Sequence, residues 1–273
     1  MHLIIIKDGE TIDHRKYGLK LLSFKKDSLT HRTDLQEIDG RHGSIDMGTT
    51  FDVRKLTAIF LFKGIDHLDY HLALSEVYDL FATESTMDII DSRQPGKIWT
   101  AKVSNTYEPE DITPSSGKLT VEFTAAFPFA RSLGSTLDPL TFDSGKWQVA
   151  QGLLPSDDLS YTHKTAHFQI YNAGYVAVDP SMEMPLDIVY KGSSNNLGIK
   201  NKTTNQIVQY TGSTTASDTI KLEGLRHLKN GTSIYANTNR EFILLLPGWN
   251  VFELTGTTGS FEISFDFYSF YKG

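Results

Sequence analysis

The chain contains no cysteine, which removes disulfides, thiolate metal sites and a cysteine nucleophile together. Its stability must come from packing or from assembly. A basic excess is also missing: 26 Lys and Arg stand against 33 Asp and Glu, a net charge of −7. The acidic balance runs through both halves, so neither is a nucleic-acid footprint, and sequence-specific DNA or RNA binding is disfavoured. No run approaches the ~18 apolar residues of a membrane span. The apolar start at Leu3, Ile4, Ile5 and Ile6 is stopped by Lys7, Asp8 and Gly9, too early for a signal-peptide core. The expectation is synthesis in the cytoplasm, with no membrane insertion. A nucleophile elbow, a P-loop and a dinucleotide fingerprint are all absent.

What is present suits two domains: 273 residues, 39% of them hydrophobic, enough to bury two cores. The first half reads as strands near 2–7, 19–24, 56–62, 87–90, 98–103 and 119–123, the last alternating Leu119, Val121 and Phe123 with polar residues. Asp8-Gly9 after the first strand signals a hairpin. Between 66 and 84 the period changes: His71, Leu74, Val77, Tyr78 and Phe81 form one helical stripe, with Asp66 placed as the cap. Turn residues Pro128, Gly134, Pro139 and Gly145 mark a boundary, giving domains 1–135 and 136–273.

The second half is rich in Ser, Thr, Asn and Gly and shows no helix or internal repeat. Strands are expected near 147–149, 166–171, 186–190, 207–210, 219–222, 233–235, 242–246, 251–254 and 261–267. Asn230-Gly231 is a hairpin signal. Many short strands, with Phe261, Ile263, Phe265 and Phe267 alternating at the end, indicate an antiparallel sandwich. The fold class is mainly β in two domains: a β-rich α+β domain with one helix, then a β-sandwich.

Candidate chemistry is thin. His67 and His71 share a helix face, but no Glu follows the first His as a base, so a structural or solvent-facing role is preferred. His163 and His167 fall in a strand at a wide separation. Asp157 and Asp158 sit in a loop, and Asp88 and Asp91 on opposite faces of a strand, so no carboxylate pair is assembled for hydrolysis. No catalytic residue, metal or cofactor is expected. Tyr171 with Asn172, and Trp249 with Asn250, offer an aromatic face beside an amide, as sugar contacts do. The alternative puts Trp249 in the core and Asn172 in a turn before Gly174, and that alternative is preferred.

From Asp39 to Phe62 the chain runs DGRHGSIDMGTTFDVRKLTAIFLF: a Gly-bearing turn, an exposed loop and an apolar strand. This segment resembles the signature of the siphophage tail family, the distal tail (Dit) proteins of phages infecting Gram-positive hosts. Pro128 to Ser132, the stretch FQIYNAGYVAVDPSMEM from Phe168, Gln209 to Gly212, Asp218 to Ile220, LLLPGWNVFELTG and FEISFDF are similar to further family segments in the same order.

The resemblance implies a structural virion protein rather than an enzyme. Its N-terminal domain would form a homohexameric ring, and its C-terminal domain a galectin-like sandwich. The ring would join the major tail tube protein to the tail-tip (Tal) protein and to receptor-binding or baseplate proteins, at the distal end of the tail, around a channel for DNA. Six copies would carry about −42, which disfavours phosphate sticking. The stretch 37–50 reads as a loop ordered by a neighbouring subunit, with Arg41, His42, Asp46 and Phe51 at the ring interface. The alternative function is a carbohydrate-binding adhesion module that contacts glycans through Trp249 and Tyr171.

Overall fold

The computed structural model describes residues 2–141, 144–148, 151–153 and 159–273. They form two compact units, one reaching Ala130 and including Lys272 and Gly273, the other Arg131–Tyr271.

The first unit is an antiparallel sheet with one helix. Its strands are β1 (Leu3–Lys7), β2 (Glu10–Ile12), β3 (Leu19–Lys26), β4 (His31–Glu37), β5 (Ser44–Phe51), β6 (Arg54–Lys63), β7 (Met87–Asp91), β8 (Lys97–Val103), β9 (Glu110–Thr113) and β10 (Ser116–Ala125), with α1 spanning His67–Phe81. The order β2-β1-β7-β8-β10-β6-β3 contains every strand expected from alternation in this half. Asp8 and Gly9, at φ 50° and 82°, make the two-residue turn between Lys7 and Glu10.

Alternation sets the inner face: Leu56, Ala58, Phe60 and Phe62 of β6 and Leu119, Val121 and Phe123 of β10 are fully buried. Helix α1 closes this face. Its rings meet the sheet where Tyr70 lies 4.9 Å from Phe62, and Phe81 6.0 Å from Phe123. Asp66 caps the helix by accepting from the N–H groups of Leu68 and Asp69, both at 2.9 Å. The buried stripe is Tyr70, Val77, Leu80 and Phe81: Val77 and Phe81 of the expected stripe are in it, while Tyr70 and Leu80 take the places expected for His71 and Tyr78, and Leu74 is only half-buried. His71 is exposed, because the sheet reaches α1 on the side that Tyr70 faces.

Asp91 is buried on β7 and forms a two-pronged ion pair with Arg93, whose nitrogens donate at 2.7–3.0 Å. Burial opposes its ionisation, but the Arg93 hydrogen bonds outweigh that and hold the carboxyl below its ordinary range. This is the chemistry of a structural pair.

His14 is buried between strands of this unit. Its Nε2 accepts from the Leu3 N–H of β1 at 3.3 Å, so its Nδ1 carries the hydrogen donated to the Leu19 carbonyl of β3 at 2.8 Å. The neutral ring is therefore part of the fold, and burial pushes its pKa down. His163 and His227, in the second unit, are lowered by burial as well. The unfolded chain binds protons at these sites more readily than the folded one. Their stabilisation is present above the ordinary imidazole pKa and is lost as pH falls through it. The melting temperature is thus expected to fall between pH 7.5 and pH 5. A profile that is flat or rises over that range contradicts the neutral assignment of these rings.

The second unit contains β11 (Ala130–Ser132), β12 (Thr162–His163), β13 (His167–Asn172), β14 (Leu186–Asn201), β15 (Gln206–Gln209), β16 (Ser213–Thr214), β17 (Thr219–Glu223), β18 (Arg226–Lys229), β19 (Thr232–Ser233), β20 (Gly248–Phe267) and β21 (Phe270–Tyr271). No α-helix occurs among its described residues. Two long bent strands organise it. Residues 186–192 of β14 pair with 261–267 of β20, and residues 198–201 pair with 252–255. β12, β17, β18 and β19 extend the first layer, and β13 and β15 extend the second. The layers meet in rings, with Phe168 and Phe252 at 5.8 and 4.8 Å from Phe265. This is a sandwich made by one sheet folding over itself.

Four local expectations change. The strands expected at 251–254 and 261–267 are parts of the single β20. Gly256 permits the bend between them: at φ 75°, a Cβ there would lie 2.4 Å from the Asn195 carbonyl oxygen. Residues 242–246 contribute only the bridge of Leu245 to Val178. After Ser233 the chain enters a 3-10 turn at Tyr235–Asn237 instead of continuing as a strand. No strand forms at Trp147 or Gln148, and Val149 lies outside the described residues. Asn230 and Gly231, at φ 50° and 82°, do make the β18–β19 turn.

Candidate assembly surface

The stretch expected as an exposed loop is a hairpin arm. Among the described residues β4 and β5 pair only with each other, from His31 opposite Phe51 to Glu37 opposite Ser44. Of their residues all but Ile45 and Phe51 are exposed. Sequence periodicity missed the arm because alternation records burial, and this ribbon has solvent on both faces. A bulge between Asp34 and Leu35 sits beside Gly48 (φ 126°), whose N–H the Asp46 carboxylate accepts at 2.9 Å. The turn expected around Gly40 and Gly43 forms the tip, closed by the Arg41 N–H donating to the Ile38 carbonyl at 3.1 Å.

The four residues expected at an interface fall in two places. Arg41 and His42 are exposed at the tip, and Asp46 is exposed on β5. Phe51 lies at the root, half-buried, 5.1 Å from the His31 ring and 5.7 Å from Phe129. The arm also exposes large apolar side chains: Leu35, Ile38 and Met47 are 46–58% exposed. A two-stranded ribbon is marginal by itself in water, and both its outer edges offer unpaired backbone groups.

The root is anchored by a residue that sequence reasoning passed over. Arg54, first in β6, is buried. Its guanidinium donates to the Asp27 carbonyl at 2.7 Å, to Pro128 at 3.4 Å and to the Lys272 carbonyl. It also lies 4.9 Å over the Trp99 ring. Asp27 precedes the arm and Arg54 follows it, so one side chain fixes both of its ends.

The other candidates disperse. His67 and His71 are both exposed on α1, and no three His, Asp or Glu side chains form a metal-binding group among the described residues. His163 stacks on Phe168 at 4.5 Å, apart from any partner ligand. Asp157 and Asp158 lie outside the described residues.

Trp249 is not in the core: it is 50% exposed, with its ring 4.9 Å from that of Tyr171. The two asparagines expected beside these rings point inward. Asn172 accepts from the Gly174 N–H at 2.9 Å, as a turn residue does, and donates to the Val176 carbonyl. Asn250 is spent on Leu246 and Gly248. The signal was available in the parity of β20, since Asn250 is in phase with the buried Phe252 and Leu254, which turns Trp249 outward.

Residues 12–125 match the phage tail protein RIFT-related domain family. Comparison with curated proteins finds no match. Among solved structures, the Dit protein (gp 19.1) of phage SPP1, described as a paradigm of the hub adsorption apparatus in phages infecting Gram-positive bacteria, shares the fold. Its TM-score is 0.69 at 13% identity, over 98% of this chain and 99% of that one. A chain of the phage P2 baseplate in its activated, calcium-bound conformation aligns over 98% of both chains at 8% identity, with a TM-score of 0.44.

Proposed function

We propose, from the phage tail RIFT-related domain that residues 12–125 carry, that the chain is a structural hub at the distal end of a siphophage tail. In this reading it is a Dit-type protein that closes into a homohexameric ring. The observation that carries it is the β4–β5 arm, which the other described residues leave exposed. A head-to-tail ring uses two different patches on each subunit, and a ribbon with free edges supplies one of them by lying on, or pairing with, its neighbour. Arg41, His42 and Asp46 then lie at the contact, and Phe51 holds the arm's root in position.

The ring would bridge the major tail tube protein and the tail-tip (Tal) protein, and the second unit would face receptor-binding or baseplate proteins. The acidic balance of the chain suits a channel that must not hold DNA.

Sedimentation and negative-stain imaging of the protein, concentrated and mixed with its tail partners, test this reading. Six-fold rings are the expected outcome. A strict monomer under all these conditions, or a ring of another order, overturns it.

A further inference from the structure

The outer face of the second layer carries a compact aromatic spot. Strands β13 and β20 pair with His167 opposite Glu253, Gln169 opposite Val251, and Tyr171 opposite Trp249. Phe168, Ile170, Phe252 and Leu254 are buried between these positions, so the three facing pairs point outward together. Trp249 and Tyr171 touch at 4.9 Å with their planes 50° apart. Beside them Val251 is 37% exposed, and the Gln169 side chain is exposed.

We propose that this spot binds a neutral saccharide, with a sugar ring against the Trp249–Tyr171 pair and its hydroxyls read by the Gln169 amide. Three features select this class of ligand. An apolar sugar C–H face matches an aromatic face, while its polar rim needs donors and acceptors alongside. The nearby charges nearly balance: Glu253 pairs with Lys202 at 3.7 Å, and Lys200, opposite Glu253 in the adjoining strand, leaves a single positive charge at the edge of the spot. Nothing there selects a phosphate or a basic peptide.

Size separates a sugar from a protein. A stable protein interface covers about 800 Å² per partner, whereas two partly exposed rings offer at most a few hundred. The rings also stand on paired strands whose backbone is already fixed, so little ordering is needed on binding. The spot belongs to the second unit and the arm to the first, and the proposal does not depend on the assembly reading.

The chain has three tryptophans, and Trp99 and Trp147 are buried while Trp249 is not. A change in tryptophan emission on adding sugar therefore reports on this site. The full chain should be titrated with tetrasaccharides of glucose, galactose and N-acetylglucosamine, by emission and by saturation-transfer NMR. A saturable response is expected with at least one of them, with a Kd on the order of millimolar, as for a shallow site. Trp249→Ala should weaken binding about ten-fold or more and Gln169→Ala several-fold, both with an unchanged melting temperature. No saturable response to any of the three overturns the proposal, as does binding that survives Trp249→Ala. If Trp249→Ala instead releases another tail protein while no sugar binds, the spot is a protein contact.

Discussion

Replacing Arg54 by methionine is expected to destabilise the first unit by roughly 3–5 kcal/mol, a large part of the stability of an ordinary domain. Methionine keeps much of the volume and none of the donors. The carbonyls of Asp27, Pro128 and Lys272 would each lose a charge-assisted bond in a place water reaches poorly, and leaving such groups unmade costs more than the bonds contribute on average. The opposing effect is relief of the cation's own desolvation, which lowers the Arg54 pKa. It is the smaller term, because arginine remains charged in proteins and several donors are satisfied at once. A melting shift of about 10 °C or more follows for a unit of this size. Emission from Trp99, now under the guanidinium, should move to the red. Arg54→Lys should recover only part of the loss, because an ammonium cannot span three acceptors and stack on a ring. A shift within one or two degrees for Arg54→Met would show that the root is held by other contacts.

Arg54 was legible in a way that motif reading overlooks. It is in phase with Leu56, Ala58, Phe60 and Phe62, so the alternation that located β6 also put a guanidinium on its buried side. The same parity exposes Trp249, although large aromatics favour burial on average. Most strands were readable because one face of each is buried, and alternation is the record of that burial. Where no face is buried, as in β4 and β5, the record is blank. Where a strand passes from one layer to the other, as β20 does at Thr255–Ser260, small polar residues at the bend look like a break. The Gly-bearing tip of the arm was visible because positive φ angles demand particular residues whatever the packing. His14 lay in no recognisable pattern, since its two hydrogen bonds depend on strands that only the fold brings together.

Replacing residues 33–49 by Asn-Gly, so that Arg32 and Thr50 flank a two-residue turn, is expected to abolish ring assembly and leave both units folded. The two outcomes separate because the segment contributes almost nothing inside the chain: its side chains are exposed apart from the half-buried Ile45, and their removal uncovers no core. The root stays intact, with Phe51 against His31 and Phe129, the Asp52 N–H donating to the Thr30 carbonyl at 2.9 Å, and Arg54 in place. Stability should change by less than about 1 kcal/mol, as for surface changes generally. Assembly should lose nearly all its free energy if the arm supplies one of the two patches of a cyclic contact, since a ring cannot close with half of each interface missing. The charge changes Arg41→Glu and Asp46→Arg give a finer measure. They alter rim electrostatics, and should slow assembly and make it salt-sensitive before they prevent it. A shortened variant that still forms rings would remove the arm from the interface. One that melts far below the parent would make the arm part of the first unit's own fold.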